Sequence, residues 1–269
     1  EEIPVLDKDG NPKTRSDGSI RTKKIKQKEL QIKYDWVGFK KYKRVINDQE
    51  YQDAAKFTFI YVIVSVVIEI ILGLFLAFLF NRRIYGRGFM RSLMILPIFA
   101  TPFAIGFMFF TILFEISGPL AWMGIPFLSN HNWAPFSVML VDIWQWTPFC
   151  FLVFLAALQG IPDDLIEAAT LDTKSAYKIW TSVILPLLQP IIVLVILLRV
   201  AESAKLYDYI ASLTKGGPGT ATQSVSFLVF NKAFKMNDFG YASAGSFLML
   251  IVVMVFVMLF FTRLRKTYE

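Results

Sequence analysis

The sequence predicts an all-α, polytopic integral membrane protein with five transmembrane helices inside the chain. Three observations carry this. Of 269 residues, 55% are hydrophobic and 18% charged, against about 45–50% apolar and about 25% charged in soluble domains. Five segments reach the roughly 20 apolar residues that a bilayer crossing needs at about 1.5 Å per residue. Basic residues gather at some of the junctions, as they do in cytoplasmic loops. A buried soluble helix can imitate one such run, but not five in succession. The net charge is +7, and 14 of the 28 Lys and Arg fall in residues 1–56. With such long uncharged runs, a membrane surface explains the basic charge better than nucleic acid does. A single Cys excludes an internal disulfide. With a single His beside it, no Cys/His zinc site can be assembled, and a His-based catalytic pair is disfavoured.

Residues 1–56 form a hydrophilic segment holding ten acids among the bases. Asp9-Gly10 and Asp17-Gly18 are turn signals flanked by Ile3, Val5 and Ile20, which fits a small external hairpin or a disordered linker. Asp7-x-Asp9-Gly10 places its Gly too early for a calcium loop. The first span, Phe57–Phe80, carries only Glu69 as a charge, expected to hydrogen-bond inside the bundle. Asn81–Arg91 follows with Arg82, Arg83, Arg87 and Arg91. The second span, Ser92–Phe114, is uncharged, and Pro97, Pro102 and Gly106 predict kinks in it. Glu115–Pro135 has no Lys or Arg. The third span, Phe136–Leu158, carries only Asp142. The fourth, Ile179–Leu198, contains Pro186 and Pro190, two further predicted kinks, and loses apolar character at Arg199 and Glu202. The fifth, Phe239–Thr262, is uncharged.

The basic residues near the span ends set the orientation. Asn81–Arg91, the loop 159–178 and the C-terminus with Arg263, Arg265 and Lys266 are cytoplasmic. Glu115–Pro135 and 207–238 are external. Parity then puts residues 1–56 outside, against their 14 bases. A further span upstream of Glu1 would remove the conflict by making them an external loop.

The stretch Gln159–Pro190 reads as a helix–turn–helix on the cytoplasmic face. Pro162 suits a first helical turn, and Asp163 and Asp164 follow it at the positive end of the helix dipole. Leu165, Ile166, Ala168, Ala169 and Leu171 give a short, mostly apolar helix that Asp172-Thr173 ends. Thr173 or Ser175 can cap the helix that continues into the fourth span. The two alanines allow another backbone to come close, with Glu167 beside them to orient it. An amphipathic linker resting on the membrane is the plainer alternative.

This stretch resembles the EAA loop of permease subunits of binding-protein-dependent ABC importers. That pattern is Glu-Ala-Ala, three residues, Gly, nine residues, then Ile-x-Leu-Pro. Glu167, Ala168, Ala169, Leu185 and Pro186 match it, and Val183 replaces Ile. Thr173 stands where Gly is usual, a change that costs on the order of 1 kcal/mol or more if that residue needs positive φ. Further pieces resemble the maltose-type carbohydrate-uptake class, in order over residues 36–266. They are Val37–Tyr42 (with Lys41 in place of Asn), Asn81-Arg82, Gly86–Gly88, Leu96-Pro97, Trp144-x-x-Thr147-Pro148-Phe149, Leu213-Thr214-x-Gly216-Gly217-Pro218, Ala233-Phe234 and Gly240–Ala242. The resemblance implies a transmembrane permease domain over 57–266 with its coupling loop at 159–186. It also implies a family core of six spans, the first lying before Glu1, and a prokaryotic plasma membrane. The implied partners are a second homologous permease, a dimer of ATPase subunits carrying ATP and magnesium, an external or periplasmic solute-binding protein and a sugar-like substrate. No Gly-Lys-Ser/Thr ending occurs in the chain, and Gly216-Gly217-Pro218-Gly219 follows no strand, so neither reads as a phosphate cradle. ATP hydrolysis is therefore expected on a separate subunit, with no cofactor on this chain.

Charges inside spans are functional candidates by default. Asp142, Gln145 and Trp146 share one helix face. A carboxylate, an amide and an indole there suit a sugar, whose hydroxyls and flat apolar ring they would hold; alternatively, Asp142 pairs with another span. Arg199, Glu202 and Lys205 recur every three residues, either as an intrahelical ladder or as lining of the outer pathway. Two rivals remain. A proton-coupled secondary transporter would use Glu69, Asp142 or Glu202. A membrane enzyme would need a reactive cluster, and the only acidic one is Asp163, Asp164 and Glu167.

Overall fold

The computed structural model describes residues 2–4, 22–24, 38–82 and 85–268. The chain divides into two compact units. In the first, Glu1–Gly38, strand β1 (Glu2–Pro4) pairs antiparallel with β2 (Thr22–Lys24), Ile3 opposite Lys23. This is the pairing a hairpin requires. Its turn signals at Asp9-Gly10 and Asp17-Gly18, together with Asp7, Val5 and Ile20, lie outside the described residues, as does Val37.

The second unit, Phe39–Glu269, is helical. In order it contains α1 (Lys40–Ile46), α2 (Gln49–Asn81), α3 (Arg87–Phe99), α4 (Pro102–Leu113), α5 (Trp133–Gln159), α6 (Asp163–Asp172), α7 (Ala176–Ile179), α8 (Leu185–Ser203), α9 (Val225–Phe230) and α10 (Phe239–Tyr268). Wider π turns occupy Trp180–Ile184, Ile210–Thr214 and Asn231–Lys235. Four stretches are unbroken, long and apolar enough to cross a bilayer: α2, α5, Ala176–Ser203 and Phe239–Thr262. The fifth expected span is a bent pair, α3 and α4, meeting at 101°.

Local chemistry explains where these elements begin and break. α2 starts at Gln49, eight residues before the apolar run, because Asp48 caps it by accepting from the Glu50 N–H at 3.1 Å. Between α3 and α4, Ala100 and Thr101 are extended, with ψ of 145° and 143°. A residue before proline is pushed to that region, and Pro102 opens α4 while the Thr101 hydroxyl caps it. The expected kink is thus a right-angled break. Gly106 serves close approach instead of kinking: a Cβ there would sit 2.0 Å from the Ser212 Oγ. Pro186 falls in the first turn of α8, directly after the π turn at Trp180–Ile184. Its missing N–H frees a carbonyl in that turn and lets it widen.

α2 and α5 pack side by side as the spine of the bundle. A Cβ at Gly73 would lie 2.6 Å from the Cys150 Cβ, so only glycine permits this approach. Two apolar cores flank the spine. One holds Tyr61, Val138, Val141, Ile210 and Phe227; the other holds Ala77, Phe80, Phe151, Phe154 and Leu188. α10 buries little of itself and exposes Val252, Met258, Leu259 and Phe261, as suits a span in lipid.

At the rim expected to be external, charges tie both ends of the unit together. Asp238 takes Lys41 at 3.1 Å and Arg44 at 2.9 Å. Glu50 takes Lys232 at 2.6 Å, and the Tyr241 hydroxyl donates to Asp48 at 2.7 Å. Lys41, the departure from the usual Asn, therefore has a partner 197 residues away. Asp238 also caps α10 by accepting from the Tyr241 N–H at 3.0 Å. That bond first, then Lys41 and Arg44, holds its carboxyl below the ordinary range. Asp238→Ala is expected to cost about 1 kcal/mol at neutral pH, a typical N-cap loss. A depressed carboxyl stabilises the fold above its unfolded pKa and loses that contribution as pH falls through its folded value. Melting curves of the detergent-solubilised protein should therefore differ between native chain and variant at neutral pH and converge as pH falls through the depressed folded value of the carboxyl.

Candidate functional site

The charged residues of three spans meet at one point. Arg199, on the outer part of α8, is 1% exposed. Its Nε donates to Glu69 of α2 at 2.5 Å, and one terminal nitrogen donates to the other Glu69 oxygen at 2.8 Å. The same nitrogen reaches Asp142 of α5 at 3.2 Å and the Ser203 hydroxyl at 3.0 Å. The guanidinium carbon lies 4.7 Å from the centre of the Trp146 ring, a cation–π contact. Helix geometry brings these groups together. Side chains lean toward their own helix N-terminus, and α8 runs antiparallel to α2 and α5, so Arg199 leans one way while both carboxylates lean back to meet it.

A neutral branch extends this cluster to the broken span. The Gln145 amide donates to the Ala100 carbonyl at 2.9 Å and the Pro97 carbonyl at 3.4 Å. Its oxygen accepts from the Tyr209 hydroxyl at 2.7 Å, which in turn accepts from the Trp146 indole N–H at 3.1 Å. The Ala100 carbonyl left free by the break is thus satisfied from α5, as a membrane interior requires, while the Pro97 carbonyl also accepts from the Ala100 N–H at 3.3 Å.

The expected face of Asp142, Gln145 and Trp146 exists, but its polar atoms are taken up by the chain itself. Asp142 does pair with another span. Arg199 leaves the expected charge ladder for the bundle interior, because two buried carboxylates offer a desolvated guanidinium more than one exposed partner can. The ladder that remains is Glu202 with Lys205, exposed, at 2.9 Å. Glu69 hydrogen-bonds inside the bundle, as expected. Spacing along one helix did not reveal Tyr209 or Ser203. The available signal for the cluster was charge balance: Glu69 and Asp142 are lone acids in otherwise apolar spans, and Arg199 is a base at the edge of another.

The loop expected to be cytoplasmic forms two short helices, with Pro162 standing just before α6 rather than inside its first turn. In α6, Glu167 and Ala168 are exposed, Ala169 is half-buried and no residue is fully buried. Leu171 is 89% exposed. Thr173 ends the helix in extended geometry, φ −153° and ψ 139°, so the replacement of Gly costs no left-handed strain. Ser175, rather than Thr173, caps the next helix by accepting from the Lys178 N–H at 3.4 Å. Asp172 closes α6, and Pro186 lies ten residues beyond α7's first residue, in α8.

The glycine loop expected to be external is a self-bonded turn. The Thr222 hydroxyl donates to the Gly217 carbonyl at 2.8 Å, and Thr222 N–H donates to Gly216 O at 3.3 Å. Gly216 has φ +89°, and a Cβ there would come within 2.9 Å of the Phe227 ring. Pro218 follows in the same turn.

Residues 69–269 match the family described as the binding-protein-dependent transport system inner membrane component. The chain belongs to this family. Among relatives of this permease, the trehalose/maltose transport system permease protein MalF of Thermococcus litoralis is 36% identical over 233 residues, 84% of this chain and 78% of that one. The multiple sugar-binding transport system permease protein MsmF of Streptococcus mutans is 30% identical over 246 residues, 89% and 84% of the two chains. In fold, the permease is similar to a bacterial ABC transporter involved in import of the acidic polysaccharide alginate, with a TM-score of 0.78 at 22% identity over 88% of this chain and 86% of that one. The chain is thus a transmembrane permease subunit of an ABC importer, and the proton-coupled alternative draws no support from these matches.

Gln145→Leu is expected to leave the Ala100 carbonyl without its donor and the Tyr209 O–H without its acceptor, at about 1–3 kcal/mol for each unmade bond. Thermal unfolding of the purified permease should show a lowered midpoint, and Gln145→Glu should lower it as well, since an ionised carboxylate there cannot donate to the Ala100 carbonyl and buries a charge.

Proposed function

We propose that this permease conducts a sugar across a prokaryotic inner membrane, together with a second homologous permease. Two copies of a separate ATPase, carrying ATP and magnesium, drive it, and an external solute-binding protein loads it. The observation that carries this reading is α6. It is a short helix that projects an acidic first turn, Glu167 and Ala168 into the cytoplasm, with Ala169 half-buried beside them, and none of its residues is fully buried by the described residues of the chain. Such a helix buries its small-residue face only against another subunit.

The relatives' names support a sugar, since they concern trehalose, maltose and multiple sugars. A binding-protein partner is supported by a similar transporter solved with an alginate pentasaccharide-bound periplasmic protein. Of the five residues expected along the substrate path, Trp146 and Glu202 keep accessible surface, and both stay in the proposed path. Asp142, Gln145 and Arg199 form the wall behind them. Gly216, Gly217 and Pro218 shape the external loop toward the binding protein.

Mechanically, closure of the ATPases would press on α6, and the spans would rock between inward and outward openings. No group on this chain takes part in a bond-breaking step. Ala169→Arg should therefore abolish co-purification with the ATPase, or leave it bound but unresponsive to loaded binding protein, although such a change on a solvated helix stays within about 0.5 kcal/mol. Glu167→Ala should do the same more weakly. Normal association and stimulation in both variants, measured in proteoliposomes, would return α6 to the role of a membrane-surface linker.

A further inference from the structure

The Arg199 cluster is an expensive way to stabilise a bundle. Replacing a buried ion pair by apolar residues of similar volume is often neutral or stabilising, and here two carboxylates share a single guanidinium. What such a cluster supplies that an apolar core does not is a fixed register. A guanidinium forked onto Glu69 and reaching Asp142 sets both the height and the rotation of α8 against two other spans. A slip by one turn would leave three charges unpaired in hydrocarbon.

The position of Arg199 along its span adds to this. Helix α7, the π turn and α8 run without interruption from Ala176 to Ser203. Arg199 lies 19 residues beyond Trp180, which is about 28 Å at helical rise and close to the thickness of the hydrocarbon core. At the cytoplasmic end, Trp180 meets Phe78 of α2 edge-on, with ring centres 5.1 Å apart. Within α8, the buried residues are Leu188, Val195, Arg199 and Ser203. The inner part of the span is also its soft part, with a π turn followed by Pro186 and Pro190, which lack N–H donors. One end is built to bend and the other is clamped.

We propose that Arg199 is a positioning residue that makes the outer part of α8 one rigid body with α2 and α5, so that bending driven from the coupling loop is confined to residues 180–190. This rests on the importer reading above for the source of the drive, while the clamp itself does not.

The test uses spin labels at Gln49, on the outer end of α2, and Lys205, just beyond the outer end of α8, both exposed, in a Cys150→Ala background and in lipid nanodiscs. In the native cluster the distance should be narrow and unchanged between nucleotide-free and ATP-trapped complexes. A neutral triple variant, Glu69→Gln with Asp142→Asn and Arg199→Met, removes the charges while keeping volume. It should fold and bind the ATPase, but the distance should broaden or become nucleotide-dependent, and stimulation by loaded binding protein should fall roughly tenfold, within the usual range of coupling energies. A triple variant with a native, narrow distance would overturn the proposal, as would a native chain whose distance moves on ATP trapping. If the triple variant fails to assemble, Arg199→Lys decides: it keeps the charge but not the fork, and a native distribution there overturns the clamp. If no ATPase co-purifies with the native chain, the importer reading fails, and the distance in the isolated chain still tests the clamp.

Discussion

Arg199 imposes the constraint on which the bundle depends. No water in a bilayer core can solvate a guanidinium, so its charge must be answered within the protein. Both carboxylates that answer it lie on other helices, which fixes the faces that α2, α5 and α8 turn inward. The rest follows from that meeting. Gly73 lets α2 and α5 come close enough for Glu69 and Asp142 to share one partner. Trp146 closes the cluster with its ring, and its N–H passes the network on through Tyr209 and Gln145 to the broken span. A right-angled break in a membrane helix exposes carbonyls that lipid cannot satisfy. The same helix face that holds the charges also supplies the donor that satisfies them.

The two ends of the permease contrast with this satisfied middle. At the external rim, Asp238, Glu50 and Asp48 bind the polar start of α2 and the start of α10 into one closed set of contacts. At the end expected to be cytoplasmic, α6 carries no side-chain cap at its start and buries none of its residues fully. A bundle that pairs Glu69, Asp142 and Arg199 with one another inside and leaves one apolar-faced helix unanswered outside is organised for assembly. That asymmetry supports the coupling role proposed for α6 from its surroundings as well as from its Glu-Ala-Ala sequence.

What was legible in the sequence was what is local. The lengths of the apolar runs gave the spans, and the acidic first turn, alanine pair and Asp172-Thr173 stop gave α6 nearly residue for residue. The prolines announced trouble at Pro97 and Pro102, because a missing N–H can be read from the sequence. The 101° angle could not, since it depends on Gln145 accepting the task of satisfying the free carbonyls. Arg199 misled for a related reason. Its spacing to Glu202 and Lys205 suits an intrahelical ladder, and only the fold shows that two carboxylates 130 and 57 residues away compete for it and win. Ser175 and Thr173 are both competent caps by type; backbone geometry chose between them. The pairing of Lys41 with Asp238 joins opposite ends of the unit and has no local signature.

The π turn at Trp180–Ile184 gives length itself a meaning in this span. Each residue added to or removed from a helix turns everything beyond it by about 100°. A wide turn absorbs one extra residue inside a continuous helix, so a deletion within it would collapse it to an ordinary turn and leave Arg199 nearly in phase. A single deletion in the regular helix beyond it, between Leu185 and Arg199, would instead leave the span almost as long and just as apolar, yet swing the guanidinium away from both carboxylates toward lipid. In an alignment such a gap would look trivial. In the membrane it would be a rotation, and the residues from 185 to 199 would be held to a fixed count more strictly than to any fixed composition.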